Sequence, residues 1–445
     1  MIAAADNALY ARLFGDPDTA AFFTAEAELA AMIQVEAALA QAQSALGLIP
    51  ADAGPAIARA CAGLQIDPAA LAAATARNGV PVPALVAALR EAMPGLPQAA
   101  YLHWGATSQD IMDTALALRL RGVLALWQGR LDAILRQLAV AARDHADLPM
   151  AARTYGQVAT PTSFGAVVAS WGWPLLDHAQ DLAQLDERVL RVSLSGAAGT
   201  LSAMGGQGPA VRAELARALD LADPGHGWHS DRAGLGRCAQ WTAGLAASLG
   251  KMAEDLLLLT QSGIGLVRIE GGGASSTMPQ KQNPVGPSAM AALSRQVIGL
   301  ASVFGGAGMH RQQRDGAAWF TEWLTLPQIC VSTGALLRLA GDVLARMQPD
   351  APAMAQDLAA GQGTIHAEAL TFAVTRLTGL TRAEASTRVA DLCAEARRSG
   401  CDLLVLAARD WPGHDWPGEV AACSLGAAPD EARGFCARVT PEGAA

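Results

Sequence analysis

Apolar residues that recur every three or four positions constrain this chain more than any other feature. Leu116, Leu120, Val123, Trp127, Leu131, Ile134, Leu138 and Ala141 keep that step, with Arg119, Gln128, Arg130 and Arg136 falling between them. A helix gathers such residues on one face, whereas a strand scatters them over two. Similar runs cover about 24–46, 162–190, 238–267, 285–304 and 323–346, and two-residue alternation is nearly absent. Helices of about 25 residues without a heptad charge pattern suit a long bundle. The expected fold is therefore all-α in three domains: an N-terminal helical domain over 1–110, broken by Pro50, Pro68, Pro81, Pro83, Pro94 and Pro97; a central long-helix bundle over 111–350; and a small C-terminal helical domain over 351–445 that turns irregular from about 411.

Charged residues make up 16% of the 445 and apolar types 51%, against roughly 25% charged in ordinary globular chains. Helices so poor in charge are expected to be covered on more than one side, as contacts between subunits would do. A formal net charge of −9 argues against a nucleic-acid partner, because phosphate binding needs a basic face. A small polyanion needs only local Arg, Lys and helix N-termini. The seven cysteines are scattered, with no C-x-x-C pair, which reads as reduced thiols without a zinc or disulfide framework. The start, MIAAADNALYARLFGD, carries Asp6 and Arg12 and does not resemble a secretory leader, so a cytoplasmic location is expected. The longest uncharged stretches, 154–176 and 192–211, are interrupted by Pro161 and Pro174 or by glycines and hydroxyls, and no membrane-crossing helix is expected.

Three polar segments each lead into a helical run. His103-Trp104-Gly105-Ala106-Thr107-Ser108-Gln109-Asp110 precedes the longest one, and Thr107 and Ser108 are natural N-caps; they either end a helix and no more, or line a carboxylate receptor at its positive end. In Arg153-Thr154-Tyr155-Gly156-Gln157-Val158-Ala159-Thr160-Pro161, Thr160 and Pro161 read as N-cap and first helical residue, Gln157 suits a carboxylate or carbonyl, and Arg153 suits a solvated ion pair. Gly271 to Pro284 is longer than the usual 2–8 residues or so of a bundle connection. It carries Ser275, Ser276, Lys281 and Asn283 behind a glycine hinge, a composition suited to a lid over a carboxylate, with Asn283-Pro284 opening the next helix.

Ser275-Ser276-Thr277-Met278-Pro279-Gln280-Lys281-Gln282-Asn283-Pro284 resembles the S-S-x-M-P-x-K-x-N-P signature of the fumarase/aspartase superfamily, which includes argininosuccinate and adenylosuccinate lyases. The resemblance spans nearly the whole chain: GLIP, HWGATSQDIMDT, ARTYGQVATPTSFG, SLSGAAGTLSAMG and RDGAAWFTEW all have counterparts. HWGATSQD, GAAGT and W-x-x-E-W look most like the bacterial 3-carboxy-cis,cis-muconate cycloisomerase branch. The resemblance implies a homotetramer whose active sites combine segments of three chains, a small di- or tricarboxylate substrate, no cofactor, and proton transfer alpha to a carboxylate. It implies Ser275 as the proton-transfer residue, and a carboxylate-binding set of Thr107, Ser108, Tyr155, Gln157, Thr160, Ser276, Lys281, Asn283 and Arg314.

Arg314 pairs either with a substrate carboxylate or with Asp315 or Glu322. His103 and His229 are each a proton relay or hydrogen-bond partner, or else structural histidines; the other six, His145, His178, His226, His310, His366 and His414, are assigned to surface or packing. No two histidines lie at metal-ligand helical spacing, so no metal is expected. The chain also departs from its relatives: Tyr155 stands where many lyases carry His, Val158 where cycloisomerases often do, and Ala274 where Gly is commoner. The imidazole that many lyases use as acid or base is therefore missing, and a tyrosine with an ordinary pKa near 10 is a poor base at neutral pH. Two other readings stand beside the cycloisomerase: a C–N lyase acting on a succinyl-type substrate, and a helical tetramer that has kept the fold and lost turnover.

Overall fold

The computed structural model describes residues 4–274, 277–421 and 424–440. Five long helices and one N-terminal helix dominate: α1 (Ala25–Ala45), α2 (Ser108–Asp144), α3 (Phe164–Val189), α4 (Ala233–Leu259), α5 (Val285–Phe304) and α6 (Gly316–Leu344). Their bounds follow the periodic runs, except that α4 stops at Leu259 and α6 starts at Gly316. The fold is all-α, as expected. Strands among the described residues form only two-stranded antiparallel pairs: β1 (Pro149–Thr154) with β2 (Gln157–Ser163), β3 (Val267–Ile269) with β6 (Met347–Pro349), and β4 (Gly273–Ala274) with β5 (Gln282–Asn283).

By contacts the chain divides into two compact units, and the division passes through α2 to α6: residues 1–131, 178–247 and 292–338 form the first, and 132–177, 248–291 and 339–445 the second. In the first unit, α1 supplies Met32, Val35 and Leu39 to a core shared with Ile57, Leu85, Leu89, Ile111 and Ala115. On α1 two polar residues, Glu36 and Gln43, are fully buried as well. They sit seven positions apart, two helical turns on the same face, and both reach the loop ahead of α2. Lower on α2, Trp127 stacks on Trp241 with ring centroids 5.7 Å apart, giving the helix a large buried aromatic anchor.

In the second unit, Phe164, Val168, Trp171 and Leu175 are buried on α3, and the Trp171 indole N–H donates to Asp255 at 2.6 Å. The polar segment before α3 is a β-hairpin rather than a loop feeding a helix, which corrects the reading of Thr160 and Pro161 as a cap. Tyr155 and Gly156 both hold positive φ, 53° and 73°, the backbone of a two-residue hairpin turn, and the β-branched Val158, Thr160 and Thr162 favour strand. Pro161 lies opposite Ala151 beside a break in register between Ala151 and Arg153, where a missing N–H is tolerated. The cap is Ser163, whose Oγ accepts the Ala166 N–H at 3.1 Å. Arg153 leaves the hairpin to pair with Asp357 at 2.7 Å.

The C-terminal helices Ala367–Thr378, Arg382–Ser399 and Leu403–Asp410 enclose a small core of Leu370, Val374, Val389, Leu392 and Leu403, and Thr381 with Glu384 forms a reciprocal capping box. The tail expected to be irregular holds two further helices, Trp416–Ala421 and Ala428–Val439. Trp416 and Phe435 are fully buried, and Phe435 packs edge-on to Trp173 at 5.4 Å. The glycines and prolines that suggested disorder are turn and helix-start residues around these two aromatic anchors. Val285–Gly308 is the one described stretch long and apolar enough to cross a membrane by length and composition, with 44% of its window buried; core helices of water-soluble proteins share that property.

Candidate active site

The first two turns of α2 are polar yet buried. Gln109, Asp110, Asp113 and Thr114 are at most 2% exposed and form two i,i+4 pairs on adjoining stripes. Thr107 precedes the helix. Its N–H donates to Asp110 Oδ2 at 2.9 Å, so the third residue of the helix reaches back to the cap. Asp110 Oδ2 also accepts the Gly196 N–H at 3.0 Å, while Oδ1 accepts the Ser195 N–H at 2.8 Å. Thr114 Oγ1 accepts the Ser193 N–H at 2.8 Å and donates to the Ser193 carbonyl at 3.0 Å. The SLSGAAGT loop is thereby fixed against the start of α2 at two points one turn apart.

His229 completes Asp110. Its Nε2 lies 2.8 Å from Asp110 Oδ1, and the imidazole is 5% exposed. A carboxylate that already accepts three backbone N–H groups can only accept from the ring, so Nε2 carries the hydrogen and Nδ1 presents its lone pair. Arg314 Nη2 lies 3.5 Å from that Nδ1, and Arg314 Nε donates to Gln109 Oε1 at 2.7 Å. The Gln109 amide in turn donates to the His229 carbonyl at 2.9 Å and to Asp113 Oδ2 at 3.1 Å. Gln109 therefore fixes Arg314 and His229 together.

Neither structural partner anticipated for Arg314 holds it. Asp315 is taken by Arg311 and by the Ala317 and Ala318 N–H groups, and these donors hold its carboxyl well below the usual range despite burial. Glu322 is taken by Arg232, which bonds it at 2.6 and 2.9 Å and Asp113 at 2.7 and 3.1 Å. Burial opposes charge on this guanidinium, but the two carboxylates outweigh it and raise its pKa. One cation between two buried acids leaves the cluster short of positive charge, and burial pushes the Glu322 carboxyl up. Among the described residues no carboxylate lies within ion-pair distance of Arg314.

His103 stands where the chain turns toward α2, in a left-handed conformation with φ 62°. Its Nδ1 is 2.6 Å from Oε1 of the fully buried Glu36. Burial lowers the imidazole pKa, but the bond and charge of Glu36, with Asp110 nearby, outweigh burial and Arg90 and raise it. Gln43 donates to the Trp104 carbonyl at 2.7 Å.

The first unit thus gathers His103, Thr107, Ser108, His229 and Arg314 around the N-terminus of α2. The second unit holds the rest. Tyr155 is fully exposed at the hairpin tip, Gln157 begins β2, and Thr160 lines a groove of about 400 Å³ with His366, Glu368 and Phe372. Lys281 is exposed and Asn283 lies in β5, across from Gly273. Ser275 and Ser276 lie outside the described residues. Sequence reasoning missed Glu36, Gln109, Asp110, Asp113 and Arg232. A usable signal existed: Thr107 followed three positions later by Asp110 has the spacing of a capping box.

The family model described as "Lyase" matches residues 16–299. A 3-carboxy-cis,cis-muconate cycloisomerase from Pseudomonas putida is 38% identical over 382 residues, 85% of this chain and 90% of its own length. Trans-aconitate decarboxylase 1 from Mycosarcoma maydis is 34% identical over 362 residues, 80% of this chain and 73% of its own. Among solved structures, 3-carboxy-cis,cis-muconate lactonizing enzyme from Pseudomonas putida superposes with a TM-score of 0.91 at 34% identity, covering 97% of this chain and 99% of that one. Helix order, signature residues and these matches agree, and the chain belongs to the lyase family of the fumarase/aspartase superfamily.

Proposed function

We infer that this chain is an isomerase that interconverts 3-carboxy-cis,cis-muconate and 4-carboxymuconolactone, a step in aromatic degradation. The observation that carries the reading is Arg314, a guanidinium without a carboxylate partner among the described residues, fixed by Gln109 beside His229 Nδ1 at the N-terminal end of the longest helix. A polycarboxylate supplies the negative charge such a place lacks. The P. putida relatives, similar over nearly their whole length, support the choice of substrate.

In the lactone-forming direction one carboxylate oxygen of the substrate bonds to a carbon of the double bond. The π pair moves onto the adjoining carboxylate as an enediolate, then takes a proton at the alpha carbon. One proton is taken up from solvent by way of the enzyme and no oxidation state changes overall, so the chemistry requires neither a redox cofactor nor a second organic substrate. Fixed donors aimed at the enediolate oxygens lower the barrier. Thr107, Ser108 and the backbone N–H groups of α2 supply them from one segment, with Arg314 ahead of α6 beside them, Tyr155, Gln157 and Thr160 from a second, and Ser276, Lys281 and Asn283 from a third. Ser275 gives up the proton, its alkoxide held by Lys281 and backbone N–H groups, and His229 restores it, while His103 serves as a hydrogen-bond partner.

The working enzyme is a cytoplasmic homotetramer in which three chains complete each site. Exposed apolar residues on α5 and α6, among them Ile298, Val303 and Leu324, support that assembly. The test is a panel of 3-carboxymuconate, argininosuccinate, adenylosuccinate and trans-aconitate followed by ultraviolet absorbance. Loss of diene absorbance with 3-carboxymuconate is expected, and Ser275→Ala abolishes it with the oligomer intact. Turnover of the amino substrates alone would assign a C–N lyase instead, and turnover of none would leave a silent scaffold.

A further inference from the structure

Helix α1 buries a carboxylate that packing does not call for. Glu36 has no exposed surface and sits among Met32, Val35, Leu39 and Ala40. Among the described residues its Oε1 bonds only His103 Nδ1, at 2.6 Å, and its Oε2 has no hydrogen-bond partner. A buried carboxylate with an orphan oxygen is costly unless its partner is a cation. The partner itself is strained, because a non-glycine residue at φ 62° is uncommon.

A clamp on this loop would need neither feature. Gln43, two turns along the same face, already holds the loop as a neutral donor to the Trp104 carbonyl. What Glu36 adds is charge. The charged groups facing His103 are Glu36 from α1, Asp110 from α2 and Arg90 from the helix Val82–Glu91. Two acids against one more strongly solvated base favour the imidazolium, in keeping with the raised pKa. With Nδ1 spent on Glu36, Nε2–H is the ring's remaining donor, on a side chain that is 20% exposed and four residues ahead of Thr107.

We propose that Glu36 is a positioning residue that holds His103 as an imidazolium, so that its Nε2–H anchors one carboxylate of a polycarboxylate at the α2 N-terminus. The proposal rests on the functional reading above for its ligand class. It differs from a structural role in one respect: binding must depend on the protonation of a histidine that Glu36 controls. Affinity for a tricarboxylate then falls as pH rises through the His103 pKa.

The experiment compares wild type, Glu36→Gln, His103→Gln and the double variant. It reads pH profiles of kcat and KM with 3-carboxymuconate, and calorimetric binding of tricarballylate, a saturated tricarboxylate that cannot lactonise. Glu36→Gln is expected to raise KM on the order of tenfold, as loss of one charge-assisted contact does, with kcat within a few fold and the alkaline limb moved to lower pH. His103→Gln should remove that limb, and the double variant should be no worse than His103→Gln alone. An unmoved profile in Glu36→Gln, or losses that multiply in the double variant, would overturn the proposal. Should Glu36→Gln fail to fold, His103→Gln decides: binding and pH dependence equal to wild type refute the anchor. A wild type inert toward 3-carboxymuconate would sink the reaction assignment alone. A wild type that does not bind tricarballylate, or binds it equally at all pH values, would sink the anchor.

Discussion

Replacing Asp110 by Asn tests the site at its most connected point. Four donors converge on two oxygens: Ser195 N and His229 Nε2 on Oδ1, at 2.8 Å each, and Thr107 N and Gly196 N on Oδ2, at 2.9 and 3.0 Å. Asparagine offers one oxygen and one amino group. Whichever way the amide turns, two donors face the amino group, so two hydrogen bonds to an ionised acceptor are lost in a fully buried place. At about 1.5–3 kcal/mol for each such bond, Asp110→Asn should destabilise the first unit by about 3–6 kcal/mol. If the amino group faces His229, the ring loses its acceptor and the other tautomer is favoured, which places the hydrogen on Nδ1. In the best-known carboxylate–histidine catalytic pairs that error costs about 10⁴ in kcat; here His229 is one of several groups, and a loss on the order of 10² or more is expected. Urea unfolding followed by tryptophan fluorescence, and kcat on whichever panel substrate is turned over, measure the two effects. An Asp110→Asn protein within about 1 kcal/mol of wild type and within about tenfold in kcat would refute the assignment of Asp110 as the organiser of His229 and the SLSGAAGT loop.

Arg232→Met leaves Asp113 and Glu322, both nearly unexposed, without their shared cation and should cost about 3–5 kcal/mol. Burial already raises the Glu322 pKa, so the folded state binds a proton more readily than the unfolded chain, and the deficit should shrink as pH falls in urea titrations; a deficit constant with pH contradicts this. Gly165→Ala puts a Cβ 2.4 Å from the Ala142 carbonyl oxygen and 2.7 Å from Ala146 Cα, backbone atoms that cannot swing aside, and should lower the thermal midpoint by the equivalent of about 1–3 kcal/mol. For His103, the folded pKa lies above the unfolded value of about 6.5. Its contribution to stability is therefore complete below about pH 6.5 and lost as pH rises through the folded pKa; unfolding midpoints measured across that window should fall in wild type and lose the slope in His103→Gln.

Long helices were legible because each keeps one apolar face over many turns, and their ends fell where caps or prolines allow. The hairpin before α3 was not, because Thr160-Pro161 satisfies two rules at once. It has the form of a helix start, and the competing signal, Tyr155-Gly156 as a two-residue turn, needs a tyrosine at positive φ that sequence gives little reason to expect. The tail hid its helices for a related reason: in short segments rich in Gly and Pro, order comes from a few anchors such as Trp416 and Phe435. At the site, exposed-type motif residues such as Arg314 and His229 stood out, whereas Glu36, Gln109 and Asp113 did not. Each lies on a helix face that is otherwise apolar or capped, where a single polar letter resembles the solvent side until the neighbour across the core is known.

The arrangement of these hidden acids is compatible with the proposed binding of a polyanion by a chain with a formal charge of −9. Glu36, Asp110, Asp113 and Glu322 all sit near the start of α2 or against its partners, and each is at most 2% exposed. Each is held by donors: Glu36 by His103, Asp110 by His229 and three backbone N–H groups, and Asp113 and Glu322 by the one Arg232 they share. Low-dielectric surroundings make those pairings strong, and the partner donors offset much of each carboxylate's field. Arg314, in contrast, leans on the neutral oxygen of Gln109 and has no carboxylate partner among the described residues. Had Gln109 been a glutamate, the guanidinium would be neutralised before any substrate arrived. On the proposed reading of Arg314 as a substrate-binding cation, the neutral amide at that one position leaves its charge available to a carboxylate, independently of the sign of the chain.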